Sequence, residues 1–303
     1  MPELPDLEIY REALARCVVG RPLERLEIVS PFVLRSVEIP PEALAGREVT
    51  GTRRLGKRLV LALAGGLFAV LHLRVGGRLH WKKPVAKGPG RIALAAFRFE
   101  HGALWFTEAA KKKRASLHLV AGDAALAEHD PGGVEPLAVS PAELAAALRR
   151  ENRTLKRALT DPRLVAGIGN AYSDEILFRA RLSPAKRSAD LDDEELDRLV
   201  AAIRAVLAEW IERLRTATGD GFPERVTAFR PEMAVHGRFG RPGPVCGSPV
   251  QRIVFAENEA NYCAACQTGG RLLADRALSR LLHGDWPRSL DELEEMKERH
   301  RAP

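Results

Sequence analysis

Near residue 120 the hydrophobic period of the chain changes, and that change narrows the fold more than any single residue does. From 23 to 120 the apolar residues come in short β-prone runs: LERLEIV, EVTGTRRL, RLVLALA, LFAVLHLRV, GRLHWK, IALAAFRFE, ALWFTE and ASLHLV. Glycine pairs and Pro/Gly clusters such as KKPVAKGPG separate them. Short apolar runs bounded by turn residues are strands of an antiparallel sandwich or barrel. Gly65-Gly66 splits LVLALAGGLFAVLHL into two strands and a tight turn, so the most apolar stretch does not span a bilayer.

Beyond residue 140 the period lengthens to that of helices, in PAELAAALRRE, RTLKRALT, AYSDEILFRARL and DLDDEELDRLVAAIRAVLAEWIERLRT. Residues 5–19 are helical too: Leu7, Tyr10, Leu14, Cys17 and Val18 share a stripe, and Gly20 is a stop. The expected class is therefore α+β. An N-terminal antiparallel β-sandwich with an N-terminal helix (1–120) leads through a polar linker (121–140) to a helical domain (141–232). A Gly- and Cys-bearing segment with short strands (233–270) and a charged tail (271–303) follow, the tail helical in RLLADRALSRLL and SLDELEEMKERH. No internal repeat is visible.

Four cysteines in 303 residues do not make a disulfide framework. The acidic start lacks the basic and apolar regions of a secretory signal. A cytoplasmic monomer without membrane contact is expected. The net charge of +7 favours a polyanionic partner, although many basic proteins never meet nucleic acid.

Four stretches carry possible chemistry. In MPELPDLEIY, loss of Met1 would free the Pro2 amine beside Glu3, placing a nucleophile and an acid/base group on adjacent residues. The same residues also make an ordinary helix start, with Pro5 in the first turn and Asp6 and Glu8 complementing the dipole. In LTDPRLVAGIGNAYSDEILFRA, Gly167 and Gly169 free backbone N–H groups before a helix that Asn170 would cap. That is either a phosphate site, with Lys156 adding charge from one helix upstream, or a plain helical corner. Arg53, Arg54, Lys57 and Arg58, and then Lys111, Lys112, Lys113 and Arg114, are basic clusters that suit a solvated edge or a nucleic-acid contact. Cys246 and Cys263-Ala-Ala-Cys266 are three quarters of a zinc-ribbon ligand set, with Gly243 where the fourth belongs and His236 the nearest upstream donor. Zinc completed by His236 or water, or a metal-free hairpin, both fit.

Taken in order, MPELP, RRLGKRLVL, DPRLVAGIGNAYSDEILFRA and VHGRFGRPGPVCGSPV…NYCAACQ resemble the formamidopyrimidine-DNA glycosylase/endonuclease VIII family of base-excision repair enzymes, across residues 1–267. The resemblance implies a catalytic β-sandwich, a helix–two-turn–helix domain and a zinc-finger-like β-hairpin. It implies that Met1 is removed, that Pro2 attacks the sugar C1′ and that Glu3 moves protons. Lys57 then steadies the phosphate or damaged nucleotide, and strand cleavage follows by β,δ-elimination. Lys156 and Asn170 match phosphate-gripping positions, with damaged DNA in a basic cleft between the two domains. Zinc would lie at Cys246, Cys263 and Cys266, where the family's fourth cysteine is replaced by Gly243 and His236 or water would complete the set.

Three departures accompany the match. Val75 stands where the family commonly has a wedge methionine. The loop bearing Lys111 and Lys112 lacks an aromatic, and Asn258 aligns with the finger arginine, for which Arg252 is a substitute. They leave the lesion open and sustain an alternative, a catalytically weak or inactive member that binds damaged DNA. The tail beyond 270 lies outside the family pattern.

Overall fold

The computed structural model describes residues 1–84, 88–224, 226–227, 229–255, 258–274 and 287–301. The eight β-prone runs form eight strands: β1 (Arg25–Ile28), β2 (Val49–Leu55), β3 (Arg58–Leu63), β4 (Leu67–His72), β5 (Gly77–Lys82), β6 (Ala93–Phe99), β7 (Gly102–Glu108) and β8 (Ser116–Ala121). They build two four-stranded antiparallel sheets, ordered β2-β3-β4-β8 and β1-β6-β7-β5. Gly65 and Gly66 both take positive φ (86° and 70°), the conformation that lets the β3–β4 turn close in so few residues.

Strand β3 shows why its run is continuously apolar. Leu59, Leu61 and Leu63 enter the main core with Leu79, Phe97 and Phe106 of the other sheet. Val60 and Ala62 face the opposite way and pack with Phe68, Val70 and Leu126 of α2 (Gly122–Ala127). A strand covered on both faces has no need to alternate. Helix α1 (Leu4–Val18) sends Leu7, Tyr10, Leu14 and Val18 into the main core, and Cys17 is partly buried against it.

The remaining elements are α3 (Pro141–Arg149), α4 (Leu155–Thr160), α5 (Asn170–Arg179), α6 (Asp193–Thr218), β9 (Val250–Phe255), β10 (Asn258–Cys263), α7 (Ala264–Thr268) and α8 (Leu290–Arg301). The chain divides into two compact units, 1–133 with 208–228, and 134–207 with 229–303. These bounds differ from a linker at 121–140 and separate segments at 141–232 and 233–270. The linker carries α2, whose Leu126 packs on the sandwich. The end of α6 and the residues after it are tied to the first unit. There Arg215 pairs with Glu12 at 2.7 Å, and the Phe222 ring lies 5.7 Å from that of Tyr10.

The cysteine hairpin shares a core with the helices. Val235, Val250 and Cys263 pack on Phe178 of α5. The Glu175 carboxylate accepts the N–H groups of Ala234, Val235 and His236 at 2.7–2.9 Å. In the tail, Leu290 and Leu293 of α8 pack on Ile253, Tyr262 and Leu272. The earlier expected tail helix lies mostly outside the described residues; its first residue, Arg271, instead bridges to Ser289. Among the described residues no helix is long and apolar enough to cross a membrane.

Candidate active site

The first unit carries the amino terminus. Glu3 is the N-cap of α1, and the Asp6 carboxylate accepts its N–H at 3.0 Å in a reciprocal capping box. Both acids are only 2% exposed, and Pro2 is buried beside them. Burial holds the pKa of the Met1 amine below its ordinary 8.0; Glu3 opposes the shift, and the charges of Arg78 and Lys57 reinforce it.

Lys57 follows Gly56 (φ +56°) in the tight β2–β3 turn. The neighbouring arginines are spent inward: Arg54 pairs with Glu8 at 2.8 Å, and Arg58 donates to the His129 carbonyl at 2.7 Å. Arg54 and Arg58 therefore brace the turn, while Arg53 stays exposed.

Val75 is 62% exposed at the tip of the β4–β5 turn, next to Arg74 in the left-handed region (φ +53°). The β7–β8 loop lies against that turn, since a Cβ on Gly76 would come within 2.9 Å of the Ala110 Cβ. Glu108 gathers the base of the loop: its carboxylate accepts the N–H groups of Arg114 at 2.9 Å and Ala115 at 3.1 Å, and Lys113 donates to its carbonyl. Lys111 and Lys112 are left exposed along the loop.

In the second unit Asp161 organises the turns between α4 and α5. It accepts from the Arg163 backbone at 2.9 Å and from the guanidiniums of Arg163 and Arg153 at 2.7 and 2.8 Å, which hold its pKa down to about 2. Gly167 takes φ +78°, and Gly169, not Asn170, is the N-cap. Asn170 is the first residue of α5, and the backbone of Gly169 before it is extended.

Lys156 is 8% exposed; its ammonium donates to the Asn170 carbonyl at 2.6 Å and to Asp174 at 2.5 Å. Two of its three donors thus lock the corner. Asp174 is the hub: its other oxygen meets His236 Nδ1 at 2.8 Å and the Asn261 amide at 3.3 Å.

That hub corrects the expected metal set. His236, 4% exposed, pairs with Asp174 and stacks on Phe229 with ring centroids 5.6 Å apart. The metal-competent group among the described residues consists of Cys246, Cys263 and Cys266, whose sulfurs lie within 4.8 Å of one another. A hydrogen bond from Ser248 lowers the Cys246 thiol to about 7, whereas burial pushes Cys266 up to about 12. Three clustered thiol donors fit a zinc ion, which would displace their protons and cross-link the hairpin. Arg252, on β9, is exposed, with its guanidinium 4.4 Å from the centre of the Phe239 ring.

Sequence reasoning overlooked Asp6, Glu108, Asp174 and Glu175 as organising residues. Two left local signals: Glu3 and Asp6 have capping-box spacing, and Asp174 is one helical turn beyond Asn170. The partners of Glu108 and Glu175 left none.

A buried Pro2 beside an acid, a helix–two-turn–helix corner and a cysteine-bearing hairpin together define the class of helix–two-turn–helix DNA-repair proteins. Residues 1–115 match the formamidopyrimidine-DNA glycosylase N-terminal domain, and residues 133–220 match the formamidopyrimidine-DNA glycosylase H2TH domain. The chain belongs to the formamidopyrimidine-DNA glycosylase family. It is 34% identical over 282 residues to the formamidopyrimidine-DNA glycosylase of Symbiobacterium thermophilum, covering 88% of this chain and 89% of that one. With the Thermus thermophilus formamidopyrimidine-DNA glycosylase it shares 35% identity over 283 residues, 89% of this chain and 100% of the other. Among solved structures, Lactococcus lactis Fpg with DNA containing an abasic site matches with TM-score 0.78 and 25% identity, covering 88% and 99% of the two chains. MutM with DNA containing carbocyclic 8-oxo-G also matches with TM-score 0.78 and 25% identity, covering 88% and 100%.

Proposed function

We propose that this chain is a DNA glycosylase with lyase activity, which removes a damaged base and then cuts the strand at the abasic site. Pro2, buried next to Glu3 at the start of α1, carries this reading. Removal of Met1 presents the Pro2 secondary amine beside Glu3, and an α-amino group titrates near 8, so a useful fraction is neutral and nucleophilic at physiological pH.

The target nucleotide is taken out of the stack. The Pro2 nitrogen attacks C1′ as Glu3 protonates the sugar oxygen; the C1′–base bond breaks, and the ring opens to an iminium. A secondary amine gives an iminium that is cationic at every pH. It acidifies the C2′ hydrogen, so the 3′ phosphate departs by β-elimination and the 5′ phosphate by δ-elimination. Water then releases the sugar fragment and regenerates the amine.

Lys57 is assigned to the phosphate of the reacting nucleotide. Lys111, Lys112, Lys156, Asn170 and Arg252 are assigned to backbone phosphates, with Lys156 acting through its third donor and through its hold on Asn170. A zinc ion would be held by Cys246, Cys263 and Cys266 and would act structurally. The relatives crystallised with abasic-site and 8-oxo-G DNA support damaged DNA as the partner.

Borohydride trapping on abasic-site DNA tests the reading. The protein with a free Pro2 amine should form a covalent complex, and an N-terminally blocked form should not. Equal trapping by the blocked form, or Met1 retained in active protein, overturns it. An unblocked protein that binds but neither traps nor cuts would mark a damaged-DNA binder instead.

A further inference from the structure

The cysteine cluster supplies three sulfurs, and among the described residues Gly243 lies beside it. Around Gly243 the backbone keeps the turn that would present a ligand there. Its N–H donates to the Ser248 carbonyl at 2.9 Å, and its carbonyl accepts the Gly247 N–H at 3.1 Å, with Gly247 at φ +73°. Gly243 does not need a left-handed backbone. A Cβ built on it would lie 4.0 Å from the Cys263 sulfur and 3.3 Å from the Ser248 carbonyl oxygen, with no other contact within 4 Å. A side chain at this position would begin beside the Cys263 sulfur, in close contact with the Ser248 carbonyl.

Among the described residues no further histidine, cysteine or carboxylate joins the three sulfurs. His236, the other candidate, is held in the buried Asp174 hub. Cys246 is exposed, so the cluster meets solvent.

The hairpin does not depend on a fourth ligand for its packing. The Gln267 side chain accepts the Cys263 N–H at 2.8 Å and donates to the Leu182 carbonyl at 2.8 Å. The Tyr262 hydroxyl accepts the Leu273 N–H at 2.8 Å, and α8 covers the same face with Leu290 and Leu293.

We propose that Cys246, Cys263 and Cys266 hold a thiophilic divalent cation through three thiolates and leave the position beside Gly243 to an exchangeable small ligand. Solvent fills it until a low-molecular-weight thiol, losing its proton to water, takes its place. Structural zinc sites are closed by four protein ligands, whereas three protein ligands leave a position open to exchange. The proposal rests on the cysteines binding metal and is independent of the glycosylase reading.

Cobalt(II), added to the full-length chain after metal removal, gives the readout through its sulfur-to-metal charge-transfer absorption. Titrating in 2-mercaptoethanol should raise that absorption by about a third, the step from three thiolates to four. Gly243→Cys should show the higher absorption without added thiol and no response to it. Zinc should also pass to a chromogenic chelator faster from the wild type than from Gly243→Cys. If that variant does not fold, the wild-type titration decides alone. A wild-type spectrum indifferent to thiol overturns the proposal, because a protein group then closes the site. Failure to bind either cobalt or zinc overturns it together with the metal reading, while leaving borohydride trapping untouched.

Discussion

Glu3 has two tasks, and a single substitution separates them. It caps α1 through its backbone and shares a capping box with Asp6. Glutamine keeps the shape and an acceptor oxygen but cannot deliver the proton. Glu3→Gln should lower base excision by about 10²–10⁴-fold, the usual worth of a general acid. Binding to the same lesion duplex should barely change; equal losses in both would make Glu3 structural. Lys156 behaves differently. Removing its ammonium strands part of the buried Asp174 charge. Breaking a buried pair costs about 3–5 kcal/mol, and the lower end applies because His236 and Asn261 still face the carboxylate. Lys156→Ala should therefore lower the denaturation midpoint as well as weaken binding to damaged and undamaged duplex alike. Unchanged stability with a salt slope shallower by about one unit would make Lys156 a pure phosphate contact.

At the scale of elements, the strands were the most legible part of the sequence. All eight runs became strands because backbone pairing and side-chain alternation are local patterns that turn residues interrupt visibly. Their titration behaviour was not legible. His72 at the end of β4 is pushed down to about 3, chiefly by burial and then by Arg74, and His118 on β8 to about 4, by burial and then by His129. Unfolded, both take up a proton near pH 6.5. Between that value and the folded ones the unfolded chain binds more protons, so stability falls as the pH drops below about 6.5. His72→Gln should lose less melting temperature than the wild type between pH 6.5 and 4. Parallel melting curves would show that His72 is not one of the groups responsible.

At the scale of the whole molecule, two units carry different work: the amino terminus belongs to the first and the helix–two-turn–helix with its hairpin to the second. The tail, charged in composition, joins the second unit by packing. Leu290 and Leu293 are partly buried on the hairpin core. Full burial of a leucine is worth about 1.5–3 kcal/mol, so partial burial of two amounts to a few kcal/mol. Changing both to aspartate should speed proteolysis within the hairpin and weaken duplex binding, with borohydride trapping preserved at saturating DNA. Unaltered proteolysis would show that the tail only rests on the hairpin.

By itself the sequence determined the succession of strands and helices, the adjacency of Pro2 and Glu3, the glycine corner before α5 and the three cysteines. Each depends on neighbours a few residues apart, where hydrophobic period, turn chemistry and ligand spacing are set. Only the tertiary structure decided which groups pair. Asp174 and His236 are 62 positions apart, and nothing local tells a histidine whether it will face a carboxylate or three sulfurs. The fold brings Asp174 to His236, turns Lys156 inward and sets Gly243 beside the Cys263 sulfur. Such choices follow from burial, since a charge withdrawn from water takes the partner that packing puts within reach.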